Sequence, residues 1–114
     1  MKLIEDQNKF DGLQMSLKWR LGRTIFECLE SARLEARVVD KLCDDILFAV
    51  TEIIDAAGAP IADERESAHP VLAFTLEDKP DELIVVPDGG TSWMHEYVVG
   101  TGEYLRKELE GKAQ

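Results

Sequence analysis

The chain has 114 residues, of which 45% are hydrophobic and 32% are charged. This length is typical of one domain with an ordinary packed interior and is too short for two independent cores. Thirteen Lys and Arg against 23 Asp and Glu give a formal net charge of −10. That balance argues against nucleic acid as a direct partner, because phosphate binding depends on clustered basic residues.

The sequence contains no membrane or secretion signal that we recognise. It has no run of 18 apolar residues, and the N-terminus turns acidic at Glu5 and Asp6 without an apolar segment. We therefore expect a cytoplasmic protein without a membrane partner. Cys28 and Cys43 occupy apolar-periodic positions in predicted helices, which favours small buried hydrophobes over a redox pair.

The first segment with a clear pattern is 13–21, in which apolar and polar residues alternate. Strict alternation over nine residues is typical of a half-buried strand. The alternative is a helix whose one face carries Phe10, Leu13, Leu17 and Leu21. Such a helix would leave Met15 and Trp19 on the opposite side, so the pattern favours a strand.

Two helices are predicted next, over residues 24–34 and 39–57. The second follows the i, i+3, i+4, i+7 apolar spacing for five turns and is expected to stop at Gly58, with Pro60 close behind. Residues 58–70 are polar and predict a flexible, exposed acidic loop.

Residues 71–86 predict a β-hairpin whose turn is 78–81, because these four residues separate two apolar runs and include a proline, which suits a β-turn. This register pairs Leu76 with Leu83 and turns Ile84 away from the core helix. A last helix is predicted over 92–110.

Together these elements predict an α+β fold. We expect a two-layer sandwich, in which a small antiparallel sheet packs against two or three helices. The sheet would hold the hairpin 71–86 and the strand 13–21. The last helix would be capped by Thr91 or Ser92, and the whole chain would form one domain.

Four aromatic residues stand where the predicted helices do not require them. Phe48 falls in the middle of the polar face of helix 39–57, and Trp93, Tyr97 and Tyr104 form a stripe beside the buried arc of the last helix. Large aromatics outside a core face are typical of binding surfaces, unless another element of the domain covers them. We therefore expect a protein-interaction or regulatory module that self-associates as a homodimer.

Two other functions stay open. The acidic charge alone is consistent with a decoy that inhibits a basic, nucleic-acid-binding partner. The turn before the last helix is a candidate anion site, because glycines allow close approach and free N–H groups at a helix start favour negative charge. Its candidate residues are Gly89, Gly90, Thr91, Ser92 and His95. The turn matches neither glycine-rich nucleotide motif, and Asp88 would repel a phosphate.

We recognise no catalytic or metal-binding set. His69 and His95 are far apart in sequence and have no cysteine cluster nearby. The serines and cysteines stand in no known nucleophile motif. The sequence therefore predicts no metal and no cofactor, and it leans against an enzyme.

Overall fold

The computed structural model describes residues 1–112 and has the predicted α+β architecture. The elements follow the chain as β1 (Lys2–Glu5), α1 (Gln7–Ser31), α2 (Ala36–Ile54), β2 (Ile61–Ala62), β3 (Ser67–Ala68), β4 (Phe74–Leu76), β5 (Lys79–Val85) and α3 (Thr101–Lys112). Strands β1, β5 and β4 form one sheet in that order, and β2 and β3 form a separate small hairpin.

The segment 13–21 is helical, so the strand prediction is wrong. It belongs to α1, and the helix predicted over 24–34 is the last part of the same helix, which ends at Ser31. The buried face of α1 carries polar residues, Gln14 and Lys18, at its centre, and apolar side chains line both flanks. Because the two flanks lie about 160° apart, apolar residues recur every second position, which imitates a strand.

Helix α2 confirms the predicted helix 39–57, although it begins and ends three residues earlier. The stop is at Ala56, whose φ of 58° lies in the left-handed region, rather than at Gly58. The N–H of Ala57 donates to the carbonyl of Glu52 at 3.0 Å, which closes the final turn.

The sheet is mixed, not antiparallel as predicted. Strand β1, which the pattern analysis did not identify, pairs in parallel with β5, and β4 pairs antiparallel with β5. The segment predicted as a structureless loop, 58–70, holds the β2–β3 hairpin and is exposed along most of its length.

The predicted hairpin register is also wrong. Leu76 lies opposite Lys79, and Phe74 lies opposite Ile84, with an irregularity between the two pairs. The turn is thus tighter than the four residues expected, and Pro80 lies within β5. A one-residue shift turns a strand over, so Ile84 is the buried residue of β5.

The predicted last helix is broken into two pieces. A 3₁₀ turn spans Met94–Tyr97, and α3 begins at Thr101 after Gly100, whose φ is 90°. The cap of α3 comes from another helix and not from Thr91 or Ser92. Asp44 of α2 accepts the N–H groups of Gly100 at 2.9 Å and of Gly102 at 2.8 Å.

The three helices meet at small residues. A methyl group added at Gly22 of α1 would lie 3.0 Å from Thr101 and 3.1 Å from Leu47. Gly102 brings α3 against the backbone of α2 at Asp40. The apolar cluster beside this junction consists of Phe26, Val39, Cys43 and Leu105.

The molecule is flat for its size. Its radius of gyration is 16.4 Å and its extents are 47 × 38 × 20 Å, whereas a compact chain of this length has a radius of gyration of about 13 Å. The accessible surface is 7928 Å². Within residues 1–112, no helix is long and apolar enough to cross a membrane.

Candidate functional site

Ser92 and His95, two of the predicted anion-site residues, converge on the carboxylate of Asp55 at the end of α2. The Ser92 hydroxyl donates to Oδ1 at 2.5 Å, and the backbone N–H of His95 donates to Oδ2 at 2.8 Å. The Nδ1 atom of His95 lies 2.6 Å from the same Oδ2. The Asp55 side chain is fully buried, so this cluster fastens the irregular segment 92–95 to α2.

The rest of the predicted anion turn also uses its donors internally. The N–H of Asp88 donates to Oε1 of Glu5 at 3.0 Å, and the N–H of Gly90 donates to the carbonyl of Pro87 at 3.1 Å. Gly89, Gly90 and Thr91 are exposed. Anion binding stays a prediction that this geometry does not favour, because carboxylates already occupy positions near the turn.

Two polar side chains of α1, Gln14 and Lys18, are also buried. The amide oxygen of Gln14 accepts the N–H of Trp93 at 2.9 Å. Burial lowers the pKa of Lys18, an effect that nearby Asp44 partly offsets. The Nζ of Lys18 lies 3.6 Å from the centroid of the Trp19 ring, a cation–π contact.

Cys43 is free but chemically quiet. Its side chain is buried, and its Sγ lies 3.5 Å from the carbonyl oxygen of Gly22. Burial, together with the charges of Asp44 and Asp40, raises the pKa of the Cys43 thiol to about 11. The thiol is therefore protonated at neutral pH and is a poor nucleophile. The other cysteine, Cys28, is exposed.

The four aromatic residues of the interface prediction are accessible, but they do not form one stripe. Trp93 is half-buried and packs against Tyr97, with ring centroids 4.9 Å apart. Tyr104 packs instead against Trp19 of α1 at 5.0 Å. Phe48 meets the ring of His95 edge-on at 6.0 Å. Phe48, Tyr97 and Tyr104 remain 41%, 54% and 53% exposed.

Another apolar surface lies on the outer side of α2. Val38, Ile46 and Ile53 are exposed there, and Leu42 is half-buried between them. The sequence analysis assigned this helix a single apolar face and missed the second one. A sequence feature that could have predicted it is the occurrence of apolar residues in adjacent pairs, such as Leu42 with Cys43. Adjacent pairs indicate an apolar arc that is wider than one packed helix or sheet can cover.

The neighbouring flank of α1 continues this surface. Leu17 and Leu21 are half-buried, and each stands two positions from Trp19, which contacts α3. Two positions on a helix correspond to about 200°, so both leucines point away from α3. On α2, Leu42 and Ile46 stand two positions from Asp44, which also contacts α3.

These residues together form what we call the open face. It is the side of the α1–α2 helical hairpin that lies opposite α3. Its members are Leu17, Leu21, Val38, Leu42, Ile46 and Ile53.

A cleft of about 570 Å³ lies on another part of the molecule, beside the turn 89–92. The ends of β1, β5 and α2 and the segment 69–72 form its other walls. Among residues 1–112 no group of three or more His, Cys, Asp or Glu side chains is arranged to hold a metal ion.

Comparison of the chain with protein-family models, with curated proteins and with solved structures gave no match. Two features have the properties of sites: the open face and the cleft.

Proposed function

We propose that the chain is a protein-interaction module that self-associates through the open face. The observation that carries this proposal is the excess of exposed surface. A compact monomer of 12.8 kDa exposes roughly 6,300 Å², and this chain exposes 7928 Å². The chain thus exposes roughly 1,600 Å² more than a compact monomer of its mass. Part of its exposed surface is the open face, which no element of the described chain covers.

This excess, which is spread over the whole molecule, is comparable to the surface that each subunit of a stable dimer buries. Obligate homodimers bury roughly 2,000–5,000 Å² in total, or about 1,000–2,500 Å² from each subunit. The difference calculated above falls inside that range. A smaller excess would fit only a weak or transient contact.

The shape of the open face suits a second copy of the same chain. Two antiparallel helical hairpins that meet face to face bury their apolar stripes as a four-helix bundle. A two-fold axis would place each open face on its counterpart, so both copies would cover the same residues. The exposed rings of Phe48 and Tyr97 lie outside this face.

The net charge makes the proposed dimer dependent on salt. Each chain carries −10, so two chains repel one another at long range, and salt screens that repulsion. The six residues that define the open face are apolar, and salt does not oppose their burial. Charged residues, among them Lys41 and Asp45, border them on α2. We therefore expect association to strengthen as ionic strength rises, the reverse of what ion pairing across the interface would give.

The test is absolute mass by light scattering at about 100 μM chain, in low and high salt. We expect twice the 12.8 kDa of one chain, and we expect Ile46→Asp to give a monomer with an unchanged circular dichroism spectrum. Ile61→Asp is the matched control, because Ile61 is 55% exposed on β2 and lies outside the open face.

Three outcomes would contradict the proposal. A wild-type monomer in both salt conditions removes self-association. An Ile46→Asp dimer that is as stable as the wild type removes the open face. If Phe48→Asp dissociates the dimer and Ile46→Asp does not, the interface is the aromatic surface instead.

A further inference from the structure

The cleft beside the turn 89–92 has the size and lining of a small-molecule site. Its volume, about 570 Å³, lies within the range of pockets that bind small organic ligands. Most of its wall is apolar. Leu3 comes from β1, Ile54 from the end of α2, Leu72 from the segment before β4, and Val86 directly follows β5.

The charge of the lining is negative. Glu5 contributes a carboxylate, and among residues 1–112 no Lys or Arg lines the cleft. The Oε1 atom of Glu5 accepts the N–H of Asp88 at 3.0 Å, which fixes the side chain at the cleft. His69 is the one lining residue that can carry positive charge.

The end of helix α2 adds to this bias. Ile54, its last residue, and Ala56 just beyond it both line the cleft. The carboxyl end of a helix carries partial negative charge, and it stabilises cations within the last turn. The Glu5 carboxylate and the carboxyl end of α2 are thus both negative, and both border the apolar cleft.

We propose that this cleft binds a small organic cation with an apolar body, such as an amine on a hydrocarbon chain. The hydrocarbon contacts the apolar wall, and the ammonium group lies against Glu5. The same lining disfavours carboxylates and phosphates, because either would be placed beside Glu5 without a lysine or arginine to pair with. The cleft shares no residue with the open face, so this site is independent of the proposed self-association.

The probes are octylamine hydrochloride and sodium octanoate, which have the same chain length and opposite charge. Both are titrated below their micelle concentrations into the ¹⁵N-labelled full chain. We expect saturable amide shifts at Val86, Gly90 and Thr91 with octylamine, and binding of octanoate that is at least about tenfold weaker.

Glu5→Gln separates charge from structure, because glutamine can still accept the N–H of Asp88. We expect this variant to reduce the preference for the amine to within about threefold. Glu77→Gln is the control. Glu77 is exposed at the β4–β5 turn and does not line the cleft. The Glu77→Gln variant should therefore keep the wild-type preference for octylamine over octanoate.

The proposal is overturned by octylamine shifts that do not saturate or that spread over the whole acidic surface. Equal affinity for the two probes overturns it as well, and so does a preference that survives in Glu5→Gln. The same titration on Ile46→Asp shows whether the cleft works in a monomer. If Ile46→Asp binds octylamine with the wild-type affinity, cation binding by the cleft does not depend on self-association.

Discussion

Replacing Gly102 by alanine tests the closest approach between two helices in this fold. An added methyl group would lie 2.9 Å from both the Cα and the carbonyl carbon of Asp40, and closer still to its carbonyl oxygen. These are backbone atoms of α2, which cannot rotate away as a side chain can. The start of α3 must therefore move outward, by about 1 Å if ordinary van der Waals contact is to be restored.

The expected loss can be worked out from two opposing effects. Alanine favours a helix over glycine by up to about 1 kcal/mol, and the gain is smaller in the first turn, where Gly102 lies. Overpacking costs about 1–3 kcal/mol. Outward movement also stretches the bonds from Asp44 to α3 and the 3.1 Å ion pair between Arg106 and Asp40, at about 1 kcal/mol for each bond lost.

We expect a net destabilisation of about 2–4 kcal/mol, which corresponds to a fall in Tm of about 8–16 °C for a chain of this size. The assay is thermal and urea unfolding followed by circular dichroism. Gly12→Ala is the matched control, because a methyl group at this position in α1 meets nothing within 4 Å. That variant should gain about 0.5–1 kcal/mol. If Gly102→Ala is as stable as the wild type, α3 does not pack on α2 this closely, and the reasoning fails.

Two further predictions concern buried groups. Asp55→Ala leaves the Ser92 hydroxyl and the His95 N–H without their acceptor, so urea unfolding should show a free energy of unfolding that is lower by about 3 kcal/mol or more. Asp55→Asn should lose an intermediate amount. A loss below about 1 kcal/mol in Asp55→Ala would contradict the buried cluster. Iodoacetamide at pH 8 should modify Cys28 alone in the native protein and both cysteines in guanidinium, by mass spectrometry. Because burial raises the pKa of the Cys43 thiol from 9.0 to about 11, the unfolded chain loses this proton first, and the wild type should lose stability relative to Cys43→Ala as pH rises from 9 to 11.

Helix α2 could be predicted from the sequence because its signal is local and strong. Apolar residues cover both the buried arc around Leu47 and the exposed arc around Ile46, so the helical period persists for five turns. The α+β class followed from this helix and the apolar runs of 71–86. The exposure of Phe48 was also predictable, because it stands among polar residues of its own helix.

Residues 13–21 of helix α1 were mistaken for a strand because the buried face of the helix is polar at its centre. Gln14 can be buried because its amide oxygen accepts the N–H of Trp93, which lies far away in sequence. A pattern that assigns polar residues to solvent cannot anticipate such a partner. Only the apolar residues on the two flanks of α1 are then counted, and they recur at every second position, as in a strand.

The open face and the cleft were beyond the sequence for a related reason. The apolar residues of α2 are visible as letters, but whether Ile46 is buried depends on which elements pack beside it. The cleft requires β1 to pair with β5, which joins Leu3 to Leu83 across most of the chain. Local patterns located helix α2 and the apolar runs of 71–86. Only the tertiary structure decided which apolar surfaces stayed uncovered, because coverage depends on contacts between residues that are distant in sequence.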